Sequence, residues 1–506
     1  MEEAAKTYVE NLRKSKHTTT RHTGPTTHFK YFFQAGYDWS GAELMDGPQD
    51  PLGAANRGAA YCYDKPVFGS HLAVQWSTYP HNTEGKKRRH RLAVYTSYTN
   101  GYTEINTEEG FWHMEEHYTY HSRNDIACKN LLANQQDFYR YVSLNTRAGK
   151  FYTPFAFISG KYDGWECFFP YSTFGHMNMP EDAPEKSWDL LKNFYPMTHV
   201  GHIGCKPCTD DKPLGFYTGT PRGNVDIVPI ECTKEKLQKY KTLSFAGFNK
   251  MEPEDSEKIL QYVKDGGTLI IGWPHLSVTT RRDDVLALNH KYLDCELADI
   301  IAKDKNAFVK STYNGKDVIV NKGLSVDFET LVATDDGLPL LAKKQVENGT
   351  LVFVNCKEYP YDNVAAEIFD NAICMCSDSN NSKENMFVSC DNNVNFTMYQ
   401  RDDGTMDTYL IATDWYNYED VNRKATLLLN GASFDLEIPF GTMVKVVSKD
   451  NVAAWIVSED AVVTDVNNNV ISVVGSGTHT LYVAKDGVLT TKDIDLTKVS
   501  QIKVEM

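Results

Sequence analysis

The sequence predicts a multidomain α/β protein that ends in an all-β region. Three observations lead to this fold class. Strand-like and helix-like segments alternate between Phe29 and Trp165, a second α/β series begins near Ser187, and short alternating strands follow from about Asn385. A chain of 506 residues has room for about three domains, and we place them at residues 1–185, 186–384 and 385–506.

The first region has the pattern of β/α units with parallel strands. Strands are predicted over residues 37–44, 67–76, 102–107 and 152–159, and helices over 51–63, 88–100 and 121–146. The strands end in carboxylates or aromatic rings, which is typical of a (β/α) TIM-type barrel. A closed barrel needs about 250 residues, so this region corresponds to its C-terminal half. The other strands would lie on another polypeptide or in a missing part of the chain, unless the sheet is open with a covered edge.

The second region has the pattern of a Rossmann-like or flavodoxin-like α/β domain. Gly266 and Gly267 end a helix and precede a buried strand, which is the usual order in doubly wound sheets. Further strands are predicted over residues 225–230, 242–246 and 350–355, and helices over 253–264 and 364–373. The third region, with strands over 408–413, 424–429 and 444–447 and Asn-Gly and Asp-Gly turns, is predicted to be a β-sandwich.

Composition excludes several classes of partner. The net charge of −15 argues against nucleic acid, because binding its phosphates needs clustered Lys and Arg. No apolar run approaches the roughly 20 residues that span a bilayer, and the N-terminus lacks the apolar core of a secretion signal. We therefore predict no membrane partner and a cytoplasmic location, provided that the chain truly starts at Met1.

The cysteines do not predict a metal site. Eleven cysteines in a long chain are most simply reduced thiols. Cys205 and Cys208 have the spacing of a zinc knuckle, but the other close pair, Cys374 and Cys376, is distant and spaced by one residue only. No metal and no organic cofactor is predicted.

The segment from Thr103 to Trp112 is the most informative candidate site. Strand alternation places Glu104, Asn106 and Glu108 on one face, with Glu108 nearest the turn at Gly110. Cleavage of a glycosidic bond needs two carboxyl groups, and flat aromatic rings stack on sugars. Glu43, which ends an earlier strand, is the second candidate carboxylate. The simpler alternative is a solvated acidic turn.

The order of these patterns resembles a known family. An aromatic strand over 155–159 before Trp165, the run Tyr262-Val263-Lys264-Asp265-Gly266-Gly267-Thr268 and a terminal sandwich resemble the β-galactosidase-like glycoside hydrolases of the family 42 type. The resemblance implies a carbohydrate substrate, retention of configuration and no cofactor. It also implies that the middle domain looks like a glutamine amidotransferase without its nucleophilic cysteine and forms a homotrimer or another homo-oligomer.

The resemblance also implies roles for individual residues. Related barrels carry the nucleophile at the tip of strand seven and the general acid at the tip of strand four. If 152–159 is the last strand, Glu108 takes the nucleophile position, with Glu109 as the alternate. Glu43 then lies on strand five rather than strand four. Either Glu43 acts as the general acid in a permuted geometry, or the general acid lies in the missing half of the barrel. Asn106 and five cleft-lining residues would bind substrate: Trp39, Trp76, His81, Trp112 and Trp165.

Two other functions remain open at this point. His113-x-x-Glu116-His117 matches the spacing of inverted zinc peptidases, in which two His one helical turn apart bind the metal. A half-made barrel with an aromatic groove would alternatively be a carbohydrate-binding or assembly protein without catalysis. Glu108→Gln separates carbohydrate binding from glycoside hydrolysis, because binding survives the loss of a nucleophile and retaining hydrolysis does not.

Overall fold

The protein is described from a computed structural model. The structure describes residues 1–15, 21–24, 26–45, 49–73, 84–108, 112–113, 119–120, 126–167, 172–174, 184–196, 217–381, 386–390, 392–413, 421–467, 470–497 and 501–505. In these ranges no helix is both long enough and apolar enough to cross a bilayer. Seven cysteines in these ranges are free thiols, namely Cys62, Cys167, Cys232, Cys295, Cys356, Cys374 and Cys376, whereas Cys205 and Cys208 lie outside the described residues.

The first region contains a four-stranded parallel sheet in the order β1-β2-β3-β4, with helices between its strands. The helices are α1 (Glu2–Ser15), α2 (Phe29–Gln34), α3 (Gln49–Cys62), α4 (Glu84–Thr99) and α5 (Ile126–Leu144). The strands are β1 (Arg21–Gly24), β2 (Trp39–Leu44), β3 (Gly69–Leu72), β4 (Glu104–Thr107), β5 (Trp112–His113), β6 (Thr119–Tyr120), β7 (Lys150–Tyr152), β8 (Phe155–Ser159), β9 (Trp165–Glu166) and β10 (Ser172–Thr173). The predicted β/α alternation is present, whereas a closed barrel is not formed by the described strands.

The second region contains a seven-stranded sheet in the order β11-β8-β12-β13-β18-β17-β16. Its strands and their neighbours are β11 (Asp226–Pro229), β12 (Thr242–Phe245), β13 (Thr268–Gly272), β14 (Phe308–Tyr313), β15 (Lys316–Asn321), β16 (Glu329–Ala333), β17 (Pro339–Val346) and β18 (Gly349–Val354). The helices are α6 (Lys234–Leu237), α7 (Pro253–Lys264), α8 (Arg282–Leu286), α9 (Glu296–Ile301) and α10 (Val364–Asn381), with 3₁₀ helices at Glu185–Asn193 and Trp273–Leu276.

Helices cover both faces of this sheet, as in doubly wound folds. Leu269 and Ile271 of β13 share a buried cluster with Ile259 of α7. Ile270, which points to the other face, shares a second cluster with Ile368 of α10. The continuous apolar run of β13 is therefore explained by burial on both sides.

One predicted strand belongs to a different sheet from the one expected. The predicted strand at 152–159 is expected to be the last strand of the barrel, but β8 pairs in parallel with β11 and β12 of the seven-stranded sheet. Periodicity reveals that a segment is a strand, and it does not reveal which partner the strand pairs with. The predicted boundary at residue 185 thus does not coincide with the change of sheet. The strand count that placed Glu108 on strand seven is wrong, because β4 is the last strand of its sheet.

The third region is all β, as predicted. Its strands are β19 (Met386–Cys390), β20 (Val394–Gln400), β21 (Met406–Ala412), β22 (Arg423–Leu429), β23 (Ala432–Ile438), β24 (Val444–Lys449), β25 (Val452–Ile456), β26 (Ala461–Asn467), β27 (Val470–Gly475), β28 (Thr478–Lys485), β29 (Val488–Asp495) and β30 (Gln501–Glu505). They form a seven-stranded sheet in the order β29-β28-β25-β24-β21-β20-β7 and two three-stranded sheets, β19-β22-β23 and β26-β27-β30. The edge strand β7 comes from the first region and pairs antiparallel with β20.

Helix α3 joins the first two regions at very close range. A Cβ added to Gly58 would overlap the carbonyl oxygen of Ile227 on β11. Only glycine lets the helix approach the strand backbone this closely. The helix also supports the four-stranded sheet, because Asn56 accepts a 2.6 Å hydrogen bond from Ser40 on β2 and donates to the carbonyl of Gly69 on β3.

Replacing Gly58 with Ala is expected to lower the free energy of unfolding by about 1–3 kcal/mol, because the helix must move away from β11. Gly53, in the same helix, is the matched control. Its added methyl would meet the Tyr102 hydroxyl at 3.4 Å, and Gly53→Ala should stabilise the helix by up to about 1 kcal/mol. Thermal and urea unfolding measure both variants, and equal effects would contradict the close approach at Gly58.

Candidate active site

One side of the four-stranded sheet carries a row of polar side chains, and we call it the site face. Because neighbouring residues in parallel strands point the same way, the pairing of Glu43 with His71 and of His71 with Asn106 puts the three side chains in one row across β2, β3 and β4. Glu108 lies two residues beyond Asn106, and its backbone N–H donates to the carbonyl of Leu72 at 3.1 Å. The site face therefore gathers polar groups at the C-terminal ends of parallel strands.

Three of these groups form a compact cluster. One carboxylate oxygen of Glu43, one of Glu108 and a ring nitrogen of His71 all lie within 4.8 Å of one another. The Nε2 atom of His71 is 3.2 Å from Glu108 Oε2, and its Nδ1 atom is 2.7 Å from Asn106 Oδ1. His71 is thus held between Asn106 and Glu108, which fixes the plane of its ring.

The environment treats the two carboxyl groups differently. Burial raises the pKa of Glu43 above its ordinary value, the charge of Glu108 raises that pKa as well, and His71 lowers it. The Glu108 side chain is 31% exposed and contacts His71 directly. A carboxyl group whose pKa is raised by burial, close to a second carboxylate, is the usual basis of an acid and nucleophile pair.

Trp39 lies deeper on the site face, before the cluster. The indole occupies the space over Gly41 and Gly69, where an added Cβ would overlap the ring. The Arg21 guanidinium covers it with its carbon 4.0 Å from the ring centre, and Arg21 also pairs with Glu104. Gly41 therefore makes room for the Trp39 ring.

The predicted site residues have different outcomes. The structure brings Glu108, Glu43 and Asn106 together, and the predicted alternation of Glu104, Asn106 and Glu108 on one face is confirmed. Glu109, Trp76 and His81 lie outside the described residues, and Trp112 lies in the short strand β5. Trp165 is 3% exposed and stacks on Trp188 with 4.5 Å between ring centres, so most of its apolar area is used in the core.

His71 is the site residue that sequence analysis missed. The predicted strand over 67–76 pointed to the aromatic residue at its end, Trp76, and not to His71 inside the strand. Strand alternation could have pointed to His71, because residues two positions apart on a strand face the same side of the sheet, and His71 therefore faces the same side as Gly69. Only the register between β2, β3 and β4 shows that this side also carries Glu43 and Glu108.

The zinc peptidase motif does not have the backbone that it requires. His113 lies in strand β5, which pairs antiparallel with β6, and Glu116 and His117 lie outside the described residues. Two His ligands one turn apart need a helix at His113, so that prediction is wrong for this segment. The Glu43, His71 and Glu108 donors do have types and spacing that could hold a divalent cation.

Comparisons with known proteins add a likeness in fold. No protein-family model and no curated protein matches this sequence. Among solved structures, the chain is similar to the β-galactosidase from Bacillus circulans sp. alkalophilus, with 12% identity, a TM-score of 0.51 and coverage of 83% of this chain and 61% of that one. It is similarly close to a catalytic mutant of Gan42B, a GH42 β-galactosidase from G. stearothermophilus, with 10% identity, a TM-score of 0.50 and coverage of 82% and 60%.

This likeness establishes a shared fold. At a sequence identity of about one residue in ten, a shared fold does not establish a shared activity. The chain also spans only about three fifths of the length of these two β-galactosidases. The resemblance inferred from the sequence is therefore supported for the architecture.

Proposed function

We propose that the protein is a glycoside hydrolase that cleaves O-glycosidic bonds with Glu43 and Glu108. The observation that carries the proposal is the pair of carboxyl groups, with oxygens within 4.8 Å of each other, at the C-terminal ends of the parallel strands β2 and β4, which lie on either side of β3. Solved structures with the same fold are β-galactosidases. An oligo- or polysaccharide is accordingly the substrate class that we assign.

The separation of the carboxyl groups favours retention of configuration. Retaining enzymes hold their two carboxyl groups about 5 to 5.5 Å apart, whereas inverting enzymes leave about 6.5 to 9.5 Å for a water molecule. Nearest oxygens within 4.8 Å fit the shorter class. Glu43 would give its proton to the leaving oxygen while Glu108 attacks the anomeric carbon and the glycosidic bond breaks. Water, deprotonated by Glu43, would then release the sugar from Glu108.

Other residues of the site face would position the sugar. Trp39 Nε1 is buried and has no hydrogen-bond partner among the described residues, so a sugar could reach it only if the Arg21 side chain that covers the ring moved aside. His71 would keep Glu108 oriented through the contact at 3.2 Å. The homo-oligomer implied by the resemblance remains a prediction for the middle region.

Release of chromophore from a panel of aryl β- and α-glycosides tests the proposal. We expect turnover of at least one glycoside that is unchanged by a chelator, since the carboxylate mechanism needs no metal. The same Glu43, His71 and Glu108 donors could instead hold a catalytic cation, and loss of activity in chelator with recovery on adding Zn²⁺ or Mn²⁺ would favour that function. Binding of glycans with no turnover of any substrate would favour the carbohydrate-binding alternative.

A further inference from the structure

A second cleft opens at the opposite end of the parallel strands from the candidate active site. Its volume is about 1130 Å³. Phe68 and Thr103, which immediately precede β3 and β4, lie on its wall, whereas Glu43, His71 and Glu108 lie at or beyond the other ends of their strands. The end of α3, strand β7, Asp226 and Lys239 of the middle region, and the turn after β20 complete the cleft, so all three regions of the chain contribute to it.

The cleft is basic although the protein is acidic. The chain carries a net charge of −15, yet six of the residues that line the cleft are basic and three are acidic: Arg57, Lys65, Arg147, Lys150, Lys239 and Arg401 against Asp64, Asp226 and Asp402. A local excess of positive charge in a low-dielectric cleft attracts anions.

Several of these cations are incompletely neutralised. Arg57 and Lys239 share the single carboxylate of Asp226, at 2.7 and 3.3 Å. Arg147 donates to the carbonyl oxygens of Tyr98 and Tyr102, and it has no carboxylate partner among the residues that the structure describes. Lys150 is 88% exposed, and its salt bridge is a 3.9 Å contact with the equally exposed Asp402. Lys65 and Arg401 pair with Asp38 and Asp407 outside the lining, so Arg147, Lys150 and the Arg57 and Lys239 pair carry the excess positive charge that an anionic ligand would meet.

Aromatic rings lie between these cations. Tyr61, Phe68 and Tyr152 line the cleft and are half-buried, so part of each ring remains open to it. Lys239 Nζ is 4.7 Å from the centre of the Tyr61 ring. Rings stack on the apolar faces of sugars, and cations beside them bind a carboxylate or sulfate on the same sugar. A neutral glycan would use only the rings, and inorganic phosphate or sulfate would use only the cations.

We infer that this cleft binds an acidic oligosaccharide, one whose sugars carry carboxylate or sulfate groups, as a site separate from the strand-end carboxylates. The volume exceeds the 300–1,000 Å³ of common small-ligand sites, so more than one sugar ring fits. The inference does not depend on hydrolysis, since it concerns binding at the other end of the sheet.

Calorimetric titration of the whole chain with three probes tests the inference: tri-galacturonate, the neutral galactotriose and inorganic sulfate. Tri-galacturonate should bind at least about tenfold more tightly than either of the others, because charge-assisted hydrogen bonds and ring stacking act together. Its affinity should fall as salt is raised from 50 to about 200 mM. Equal binding of galactotriose, or sulfate binding as tight as tri-galacturonate, would overturn the inference.

Variants locate the binding. Lys150→Glu, at an exposed position where folding should be unaffected, should weaken tri-galacturonate about tenfold, and Tyr61→Ala should weaken it by a similar factor. Lys492→Glu is the matched control, because Lys492 is an exposed lysine of β29 outside the cleft lining. Equal losses in Lys150→Glu and Lys492→Glu would mean nonspecific attraction and would refute the site. Glu108→Gln should leave the affinity unchanged, and a large loss there would place the ligand at the strand ends instead.

Discussion

Glu108→Gln is expected to lower the rate of glycoside hydrolysis by on the order of 10³-fold or more, because an amide cannot serve as the nucleophile. Binding of the substrate should be retained, since the side chain keeps its size and its contact with His71. Glu104→Gln is the matched control. Glu104 lies on β4 and faces the same side of the sheet. It pairs with Arg21, however, and lies two residues before Asn106, so it is outside the row formed by Glu43, His71 and Asn106.

Glu43→Gln should give a different kinetic pattern, which separates the acid from the nucleophile. A proton donor matters for a poor leaving group and hardly at all for dinitrophenolate, so kcat/KM, which reports formation of the glycosyl-enzyme, should fall strongly only for aryl glycosides with basic leaving groups, by about 10²- to 10⁴-fold. Burial raises the pKa of Glu43, and activity that needs its proton falls as pH rises through that pKa. This alkaline limb should vanish in Glu43→Gln. An unchanged dependence on leaving group would remove Glu43 from the acid role.

Azide provides a further check on Glu108. In a Glu108→Gly variant, azide can enter the space left by the carboxylate, and a retaining site would then form a glycosyl azide of inverted configuration. Detection of that product by NMR would identify Glu108 as the nucleophile. A variant that remains fully active on all substrates without azide would exclude it.

Arg57→Ala is expected to lower the free energy of unfolding by about 3–5 kcal/mol, because it removes one of the two cations that neutralise the buried Asp226 carboxylate. The Arg57 and Asp226 side chains are 5% and 1% exposed, and Arg57 Nε is 2.7 Å from Asp226. Arg57 also donates to the carbonyl of Val225 at 2.7 Å and to that of Asn100 at 3.1 Å. The residue therefore ties α3 both to the middle sheet and to the loop before β4.

An exposed ion pair serves as the control for Arg57. Lys343 and Glu329 are 3.2 Å apart, with side chains 40% and 64% exposed, and Lys343→Ala should change the stability by less than about 1 kcal/mol. Urea unfolding of the two variants measures the difference. Similar values would contradict a structural role for the buried pair.

The Arg57 effect should depend on pH in a defined direction. Burial raises the pKa of Asp226, but Lys239 and Arg57 lower it by more, so it lies below the ordinary value of 3.8. The stabilisation is therefore present above that ordinary value and is lost as pH falls through the lowered pKa. The difference between the native protein and Arg57→Ala should shrink in acid.

Sequence patterns predicted local structure well where burial was strong. The periodicity of β2, α3, α4 and β13 gave the right element at the right place, because one or both faces of each are packed. Strand β1 was missed, since Arg21-His22-Thr23-Gly24 contains no large apolar residue and is only four residues long. Its place as a strand depends on pairing with β2.

The candidate site was only partly predictable for a related reason. Glu43 and Glu108 were recognisable as carboxylates at strand ends, whereas their meeting through His71 depends on the register of three strands that lie far apart in the sequence. Trp165 was misassigned because an aromatic residue after a strand looks the same whether it faces a cleft or the core. Its contact with Trp188 depends on the tertiary structure and cannot be inferred from the local sequence.

The short passage from β7 to β8 has a consequence for biosynthesis. Tyr152 pairs with Met398 in the last sheet, and three residues later Phe155 pairs with Thr242 in the middle sheet. On the ribosome, β7 must therefore wait until residues 398–400 have emerged, and the early segments remain partly unpaired while most of the chain is made. Such long-range pairing slows folding and leaves strand edges exposed to aggregation. The protein should consequently depend on chaperones until the end of translation rather than only at its beginning.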